Sequence, residues 1–398
     1  MTEIKIASAL AEQMAAPDAP EEHRVIVRYK QDLTIAGRPL TGPSPYHFVL
    51  IPAAATRATS EQIRRLALNP AVERIWPDLP VHTCLDASAA HIRAPLVWEA
   101  GFTGRGVPVA VVDTGIDPSH PDFAGRIMGM EDFTGEGPRD NHGHGTHVAG
   151  IVAGAGTKYK GIAPEAHIYT AKVLHSDGSG YMSEVMAGLE WAVQQHVKVI
   201  NLSLGGLGPC DGSDALSTTC DAAVDRGVMV CVAAGNYGPG PSSIGPPGCA
   251  RKALTVGACS NDDVIAIFSA RGPTSDGRVK PDVLMPGVDI VSCRAQGAGM
   301  GTPVDALYTR SSGTSMATPH VAGVAALLLE AFPDLSPGQI KERLMNTAKD
   351  LGLEANTQGE GRADAYQAYL GEPHAPPLPP PGAPGCLVSV LQLLMAGR

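Results

Sequence analysis

Five short runs dominated by Val, Ile and Ala, each separated from the next by helical or loop-forming sequence, constrain this chain more than any other feature. They occupy residues 107–112, 167–173, 197–203, 228–233 and 253–256. Runs this short, with little polar alternation, read as strands buried on both faces, as in a parallel sheet. Parallel neighbours need a long crossover, and helices predicted at 182–196, 214–225, 315–331 and 336–348 fit that pattern. The fold class is therefore α/β, a largely parallel doubly wound sheet with helices on both faces, from Gly104 to about Gly371. At 398 residues the chain has room for that domain and one or two smaller pieces.

One smaller piece lies upstream. Residues 22–82 carry strands predicted at 23–30, 47–51 and 72–76 and a helix at 60–68, a small α+β unit. Residues 1–21 hold Glu3, Glu12 and Asp18 without a long apolar core, and are expected to be flexible. As written they do not resemble a secretory signal, which points to a cytoplasmic protein, with secretion as the alternative. Residues 372–398 read as a Pro-rich spacer followed by an apolar tail too short to span a bilayer. The expected division is 1–21, 22–85, 86–371 and 372–398. A net charge of −10 and no basic tract give no reason to expect nucleic acid or an anionic membrane as partner. Of the eight cysteines, Cys231 reads as a core residue, and Cys210 could close a short loop with Cys220. No spacing dictates a pairing for the others.

Three segments carry chemistry. In the first, Ser312 to Gly323, the hydroxyl of Ser315 stands on a Gly turn at the start of an apolar helix. Unpaired N–H groups and the positive end of the helix dipole there favour an oxyanion. In the second, Asp113 ends the first strand, where open α/β sheets form their ligand crevice. In the third, Asn141 to Gly150, small residues open another helix with His147 in its first turn. A carboxylate, an imidazole and a hydroxyl suit nucleophilic acyl transfer, with Ser315 as nucleophile, His147 as general base and Asp113 fixing its tautomer. Other readings compete for the same residues. His142, His144 and His147, joined by Asp140, could converge on a metal. Thr314 could be a plain helix cap, and Asn236 a turn residue after a buried strand.

The order Asp, His, Ser with these flanking residues resembles the subtilisin-like serine proteases, the reference example of that order. The resemblance covers roughly residues 22–371. It implies a serine endopeptidase acting on polypeptides through an acyl-enzyme, with no cofactor needed for catalysis. Asn236, closing Val232-Ala233-Ala234-Gly235-Asn236, would donate to the oxyanion. Substrate would lie extended between Ser179-Gly180-Tyr181 and Ser203-Leu204-Gly205. The primary pocket would be walled by Ala233, Ala234 and Gly235, with Gly245 at its base and Tyr237 near its mouth. Small, uncharged walls imply an apolar or aromatic residue before the scissile bond. The upstream unit resembles the family's propeptide, an intramolecular inhibitor released by autoprocessing at the Leu85–Asp86 bond. Asp122 matches a calcium-ligand aspartate of the family, but residues 155–160 form a shortened, basic loop where the calcium loop usually sits. That counts against this calcium site and leaves a different structural calcium possible. The alternative function is a catalytically silent peptide-binding module whose cleft the upstream unit occupies. A metallohydrolase built on the histidine cluster ranks third.

Overall fold

The computed structural model describes residues 5–16, 20–30, 46–48, 52–77 and 86–372, in two compact units divided between His82 and Thr83. In the first unit, His23–Tyr29 pairs antiparallel with Ala53–Ala58 on one side and Val72–Pro77 on the other. Tyr46–Phe48 adds a fourth strand beyond Ala53–Ala58. His23, Val25, Val27 and Tyr29 alternate inward, as a half-buried strand requires. Helix Ser60–Leu68 covers that face with Ile63 and Leu66, and Thr59 and Gln62 close a reciprocal capping box at its start. The Ala-rich strand Ala53–Ala58 escaped sequence reading because alanine has little preference for strands and its pairing is non-local. Residues expected to be flexible also fold here. Helix Ser8–Ala15 buries Leu10 in the core that holds Val25, Ile63 and Ile75, and Ala7 N–H donates to Ile75 O at 3.0 Å. An eight-residue helix is marginal alone, so tertiary contact supplies what the sequence signal lacks.

The second unit is built on a seven-stranded, wholly parallel sheet. Its order runs Val283–Pro286, Leu254–Cys259, Met229–Ala233, Val199–Leu202, Pro108–Asp113, His167–Lys172, Ile127–Asp132. Successive side chains of the central strands face opposite ways. Val109 and Val111 join the core containing helices His144–Ala153 and Thr314–Ala331, whereas Ala110 and Val112 join the one containing Met182–Gln194 and Ala215–Asp225. The chain reaches both flanks of Pro108–Asp113, so the crossovers diverge at that strand and open a crevice at its carboxyl end. Asp113 is its last residue.

Sequence reading missed the edge strand Ile127–Asp132, the far strand Val283–Pro286 and a small antiparallel sheet of Ile290–Cys293, Thr302–Pro303 and Tyr308–Ser311. The first two pair with strands distant in the chain, and the strands of the small sheet are only two to four residues long. The suggested Cys210–Cys220 bridge is also corrected, because Cys210 is bonded to Cys249. Cys220 lies on the buried face of helix Ala215–Asp225, pointing into the core and away from the loop. Cys84, Cys386, Leu85 and the Pro-rich tail beyond Glu372 fall outside the described residues. Among the described residues no helix is long and apolar enough to cross a membrane.

The packing of helix Thr314–Ala331 against the Ile162 segment can be tested at Gly323. A Cβ there would stand 2.5 Å from Ile162 Cβ. Gly323→Ala gains about 1 kcal/mol of helix propensity, but overpacking costs about 1–3 kcal/mol, so net destabilisation is expected. Urea unfolding of Gly323→Ala in a Ser315→Ala background should show a lower midpoint. A higher midpoint would mean that the Ile162 segment yields freely.

Candidate active site

Asp113 is fully buried, and its Oδ1 accepts from Thr114 N–H at 2.8 Å and His144 Nδ1–H at 2.7 Å. The strand end is held by Lys172, paired beside it in register, whose buried Nζ donates to Thr114 O and Leu174 O at 3.1 and 2.9 Å. The helix bearing His144 approaches closely because two glycines meet, and a Cβ on Gly145 would fall 2.2 Å from Gly115 O. Gly143, in the left-handed region at φ 104°, turns the chain into that helix. Asp140 organises the turn. Its Oδ1 accepts from Thr114 Oγ1, His142 N–H and Gly143 N–H, and its Oδ2 from Thr146 N–H and Oγ1.

The sequence assigned the base to His147, and the structure corrects this. His147 sits one turn inside a helix whose residues Gly145 to Ala153 are all buried. Its ring has no exposure, and Nε2–H is shared between Ile290 O and Thr309 O, both at 3.1 Å, on the small antiparallel sheet. An imidazole enclosed in that way has no route to Ser315. The available signal was position: a histidine at the first residue of a helix, after a left-handed glycine, faces the crevice, while one inside a continuous apolar run faces the core. The histidine metal cluster fails for related reasons, since the hydrogen bonds to His144, His147 and Asp140 engage each within the protein. Among the described residues only His120, Asp122 and Cys293 bring three such ligand atoms together.

Burial works against a charge on His144, but the Asp113 carboxylate and its hydrogen bond outweigh it and raise the pKa above the ordinary histidine value. For His147, burial and then the His144 charge push the pKa down to about 3.

Ser315 lies in the first turn of helix Thr314–Ala331. Its Oγ–H donates to Ser203 O, and Ser203 Oγ–H donates in return to Ser315 O, both at 2.8 Å. Pro319 explains the second bond. Having no N–H, it leaves the Ser315 carbonyl free within the helix, and Ser203 fills the vacancy. Asn201 Nδ2 in turn donates to Ser203 Oγ at 2.9 Å. Asn236 is oriented by Thr314, whose N–H and Oγ1–H donate to its Oδ1 at 2.9 and 3.0 Å. That contact fixes which end of the amide is oxygen. Thr314 is thus no helix cap but a brace for Asn236, and Gly313 takes the capping position.

His144, Asn236 and Ser315 border one cleft of about 520 Å³, together with Ser179, Gly180, Tyr181, Ser203, Leu204 and Gly205. Its apolar side also includes Leu174, Met182, Val185 and Leu216, none of which the sequence singled out. Ala233, Ala234, Gly235, Tyr237 and Gly245 do not border this cleft. Gly245 instead lies against the neighbouring wall: its Cβ would meet Gly206 O at 2.1 Å, and Gly206 N–H donates to Pro246 O. A side chain added at Gly245 would therefore push on the Gly206 backbone.

The calcium ligand implied at Asp122 has unsuitable company. The Asp122 carboxylate accepts from Tyr308 Oη at 3.1 and 3.2 Å and lies 3.6 Å from Cys293 Sγ and 3.9 Å from His120 Nδ1. A hard cation needs six to eight oxygens, and a thiol and an imidazole do not supply them.

This fold and cleft define an α/β serine hydrolase, and comparison with known proteins narrows the class. The sequence profile described as the Subtilase family matches residues 104–363. Serine protease AprX of Bacillus subtilis (strain 168) is 40% identical over 332 residues, covering 76% of this chain and 75% of that protein. Subtilisin E of the same strain is 36% identical over 356 residues, covering 85% and 88%. The crystal structure of a cold adapted subtilisin-like serine proteinase superposes with a TM-score of 0.55 at 34% identity, over 66% of this chain and 88% of that one. The chain belongs to the subtilase family and is a serine-type endopeptidase with the subtilisin-like α/β fold.

Two buried histidines make the fold sensitive to acid. His147 is held near 3 and His320 near 4, each chiefly by burial, so both stay neutral in the fold while their unfolded counterparts protonate near 6.5. The unfolded chain then binds more protons, and stability falls as pH drops below about 6.5, by up to about 1.4 kcal/mol per pH unit for each group. His144, raised instead, contributes in the opposite sense, with stability present below the unfolded value and lost as pH rises through its folded one. Thermal melts of Ser315→Ala from pH 7 to 4 should show the loss. His147→Gln, which retains an N–H donor, should flatten the slope, and an unchanged slope would mean that His147 titrates normally in the fold.

Proposed function

We propose that Asp113, His144 and Ser315 are the catalytic triad of this endopeptidase, with Asn236 and the Ser315 amide as oxyanion donors. The observation that carries the reading is the 2.7 Å contact of His144 Nδ1 with buried Asp113, beside a cleft that Ser315 and Asn236 share. Ser315 Oγ turns from Ser203 O toward the cleft and attacks the peptide carbonyl carbon as His144 Nε2 takes its proton. Asn236 Nδ2 and Ser315 N–H hold the oxyanion. The amine leaves with the proton from His144, and water repeats the sequence to release the acyl group. A catalytically silent binding module is the competing reading, and it predicts no covalent labelling of Ser315 by a fluorophosphonate.

Ser315→Ala and His144→Ala should each reduce kcat by roughly 10⁶, as the corresponding losses do in subtilisin, and the double variant should be scarcely worse. His147→Gln, if folded, should keep its turnover. Because the base must be neutral, activity should fall as pH drops through the raised His144 value, and Asp113→Asn should move that limb to lower pH. Hydrolysis of a casein-type substrate across pH checks each of these. Full turnover by His144→Ala would end the assignment.

The apolar border of Leu174, Met182, Val185, Leu204 and Leu216 supports a preference for apolar or aromatic residues in the cleft. The upstream unit acts, on this reading, as a propeptide cut at or near Leu85–Asp86, and it remains the chain's own inhibitor until degraded. Intact mass of the wild type against Ser315→Ala should show a new N-terminus near Asp86 in the wild type alone. Equal masses with full wild-type activity would remove the propeptide assignment. The Cys210–Cys249 bond supports action in an oxidising compartment, the secreted alternative.

A further inference from the structure

His120, Asp122 and Cys293 form a cluster that the proposed catalytic mechanism does not use. His120 and Asp122 enter and occupy the short turn Pro121–Phe123, and Cys293 ends the strand Ile290–Cys293. All three side chains are buried, and one ligand atom from each lies within 4.8 Å of the others. Cys293 Sγ to Asp122 Oδ2 is 3.6 Å and His120 Nδ1 to Asp122 Oδ1 is 3.9 Å.

The Asp122 carboxylate is poorly compensated. Its direct donors are the neutral hydroxyl of Tyr308 and the thiol of Cys293, and Arg126 donates to its backbone oxygen rather than to the carboxylate. His120 Nε2 lies 2.8 Å from Leu307 O and Nδ1 3.2 Å from Asp122 N, so the ring makes no hydrogen bond to the carboxylate. Arg126 acts on the carboxylate only through space, with no direct ion pair, and a bound cation would relieve the remaining cost of burying it. The donors select the cation. One thiolate, one imidazole and one carboxylate oxygen suit a borderline-soft divalent ion with tetrahedral preference, and tetrahedral zinc at about 2.0–2.3 Å from each ligand puts those ligands about 3–4 Å apart. The carbonyl of Leu307 on the far nitrogen of His120 is the outer contact that orients a metal-bound histidine.

We propose that His120, Asp122 and Cys293 bind one zinc-class ion, which ties the turn Pro121–Phe123 to the strand Ile290–Cys293. On loading, the Cys293 thiol loses its proton to solvent and the sulfur lone pair goes to the metal. His120 Nδ1 exchanges its weak backbone contact for a metal bond, and Asp122 gives one oxygen. Tyr308 Oη, beside Asp122, or a water completes four-coordination. The loop over the cluster packs closely on it, since a Cβ on Gly156 would stand 2.5 Å from Asp122 Oδ2 and 2.6 Å from Tyr308 Oη.

The test uses full-length Ser315→Ala, which cannot digest itself, titrated with cobalt(II) chloride and then with zinc chloride. One equivalent of cobalt should produce the near-ultraviolet charge-transfer band of a thiolate ligand, and zinc should abolish it by displacement. Calcium chloride should do neither. Cys293→Ser should lose the band, and His120→Gln should weaken cobalt binding by about tenfold or more. Circular dichroism reports whether each variant folds. Cobalt bound through His142 and His144 at the cleft would give no thiolate band, so the signature separates the two places. Absence of the band in the parent, or its persistence in folded Cys293→Ser, overturns the proposal whatever the other variants do.

Discussion

The hydrogen bond from His144 to Asp113 is the constraint on which the candidate active site depends. A buried carboxylate must be paired, and the imidazole that pairs with it also borders the cleft. For the two to meet, a strand end and a helix start must come within contact distance, which only the Gly115–Gly145 approach permits. Lys172 and Asp140 then consume the polar backbone groups that this close approach exposes. The geometry is thereby set from three sides: the strand, the adjoining strand and the turn.

Ser315, the proposed nucleophile, is positioned by a different device. A proline inside the helix Thr314–Ala331 is a local cost of about 3 kcal/mol in an ordinary helix. Here it frees the Ser315 carbonyl for Ser203, so the Ser315 backbone is tied to the strand-end segment that borders the cleft. Thr314, one residue earlier, fixes Asn236 by its oxygen and leaves the amide nitrogen available. The feature that looks unfavourable as helix chemistry is useful as site chemistry.

Around this centre the sequence departs from simple expectation where chemistry rather than periodicity is at stake. Asp122 is set among a thiol, an imidazole and a phenol, and the short basic loop at 155–160 packs Tyr159 against Tyr308 with ring centroids 4.5 Å apart. The loop's lysines lie over Tyr159 and Trp98 rather than at the carboxylate.

The five buried runs of the parallel sheet, the helices between them, Asp113 at a strand end, Ser315 at a helix start and Asn236 after a buried strand were all legible from local pattern. Each depends on period, propensity and chain order, which a sequence carries directly. The choice between His144 and His147 was not, because both lie in one short helical segment and differ only in which face meets the core. Nor were the Cys210–Cys249 bond, the folded helix Ser8–Ala15, the strand Ala53–Ala58 or the small sheet that encloses His147. These arise from contacts between residues far apart in the chain, and burial, which decides whether an imidazole is a base or a core residue, exists only once those contacts are made.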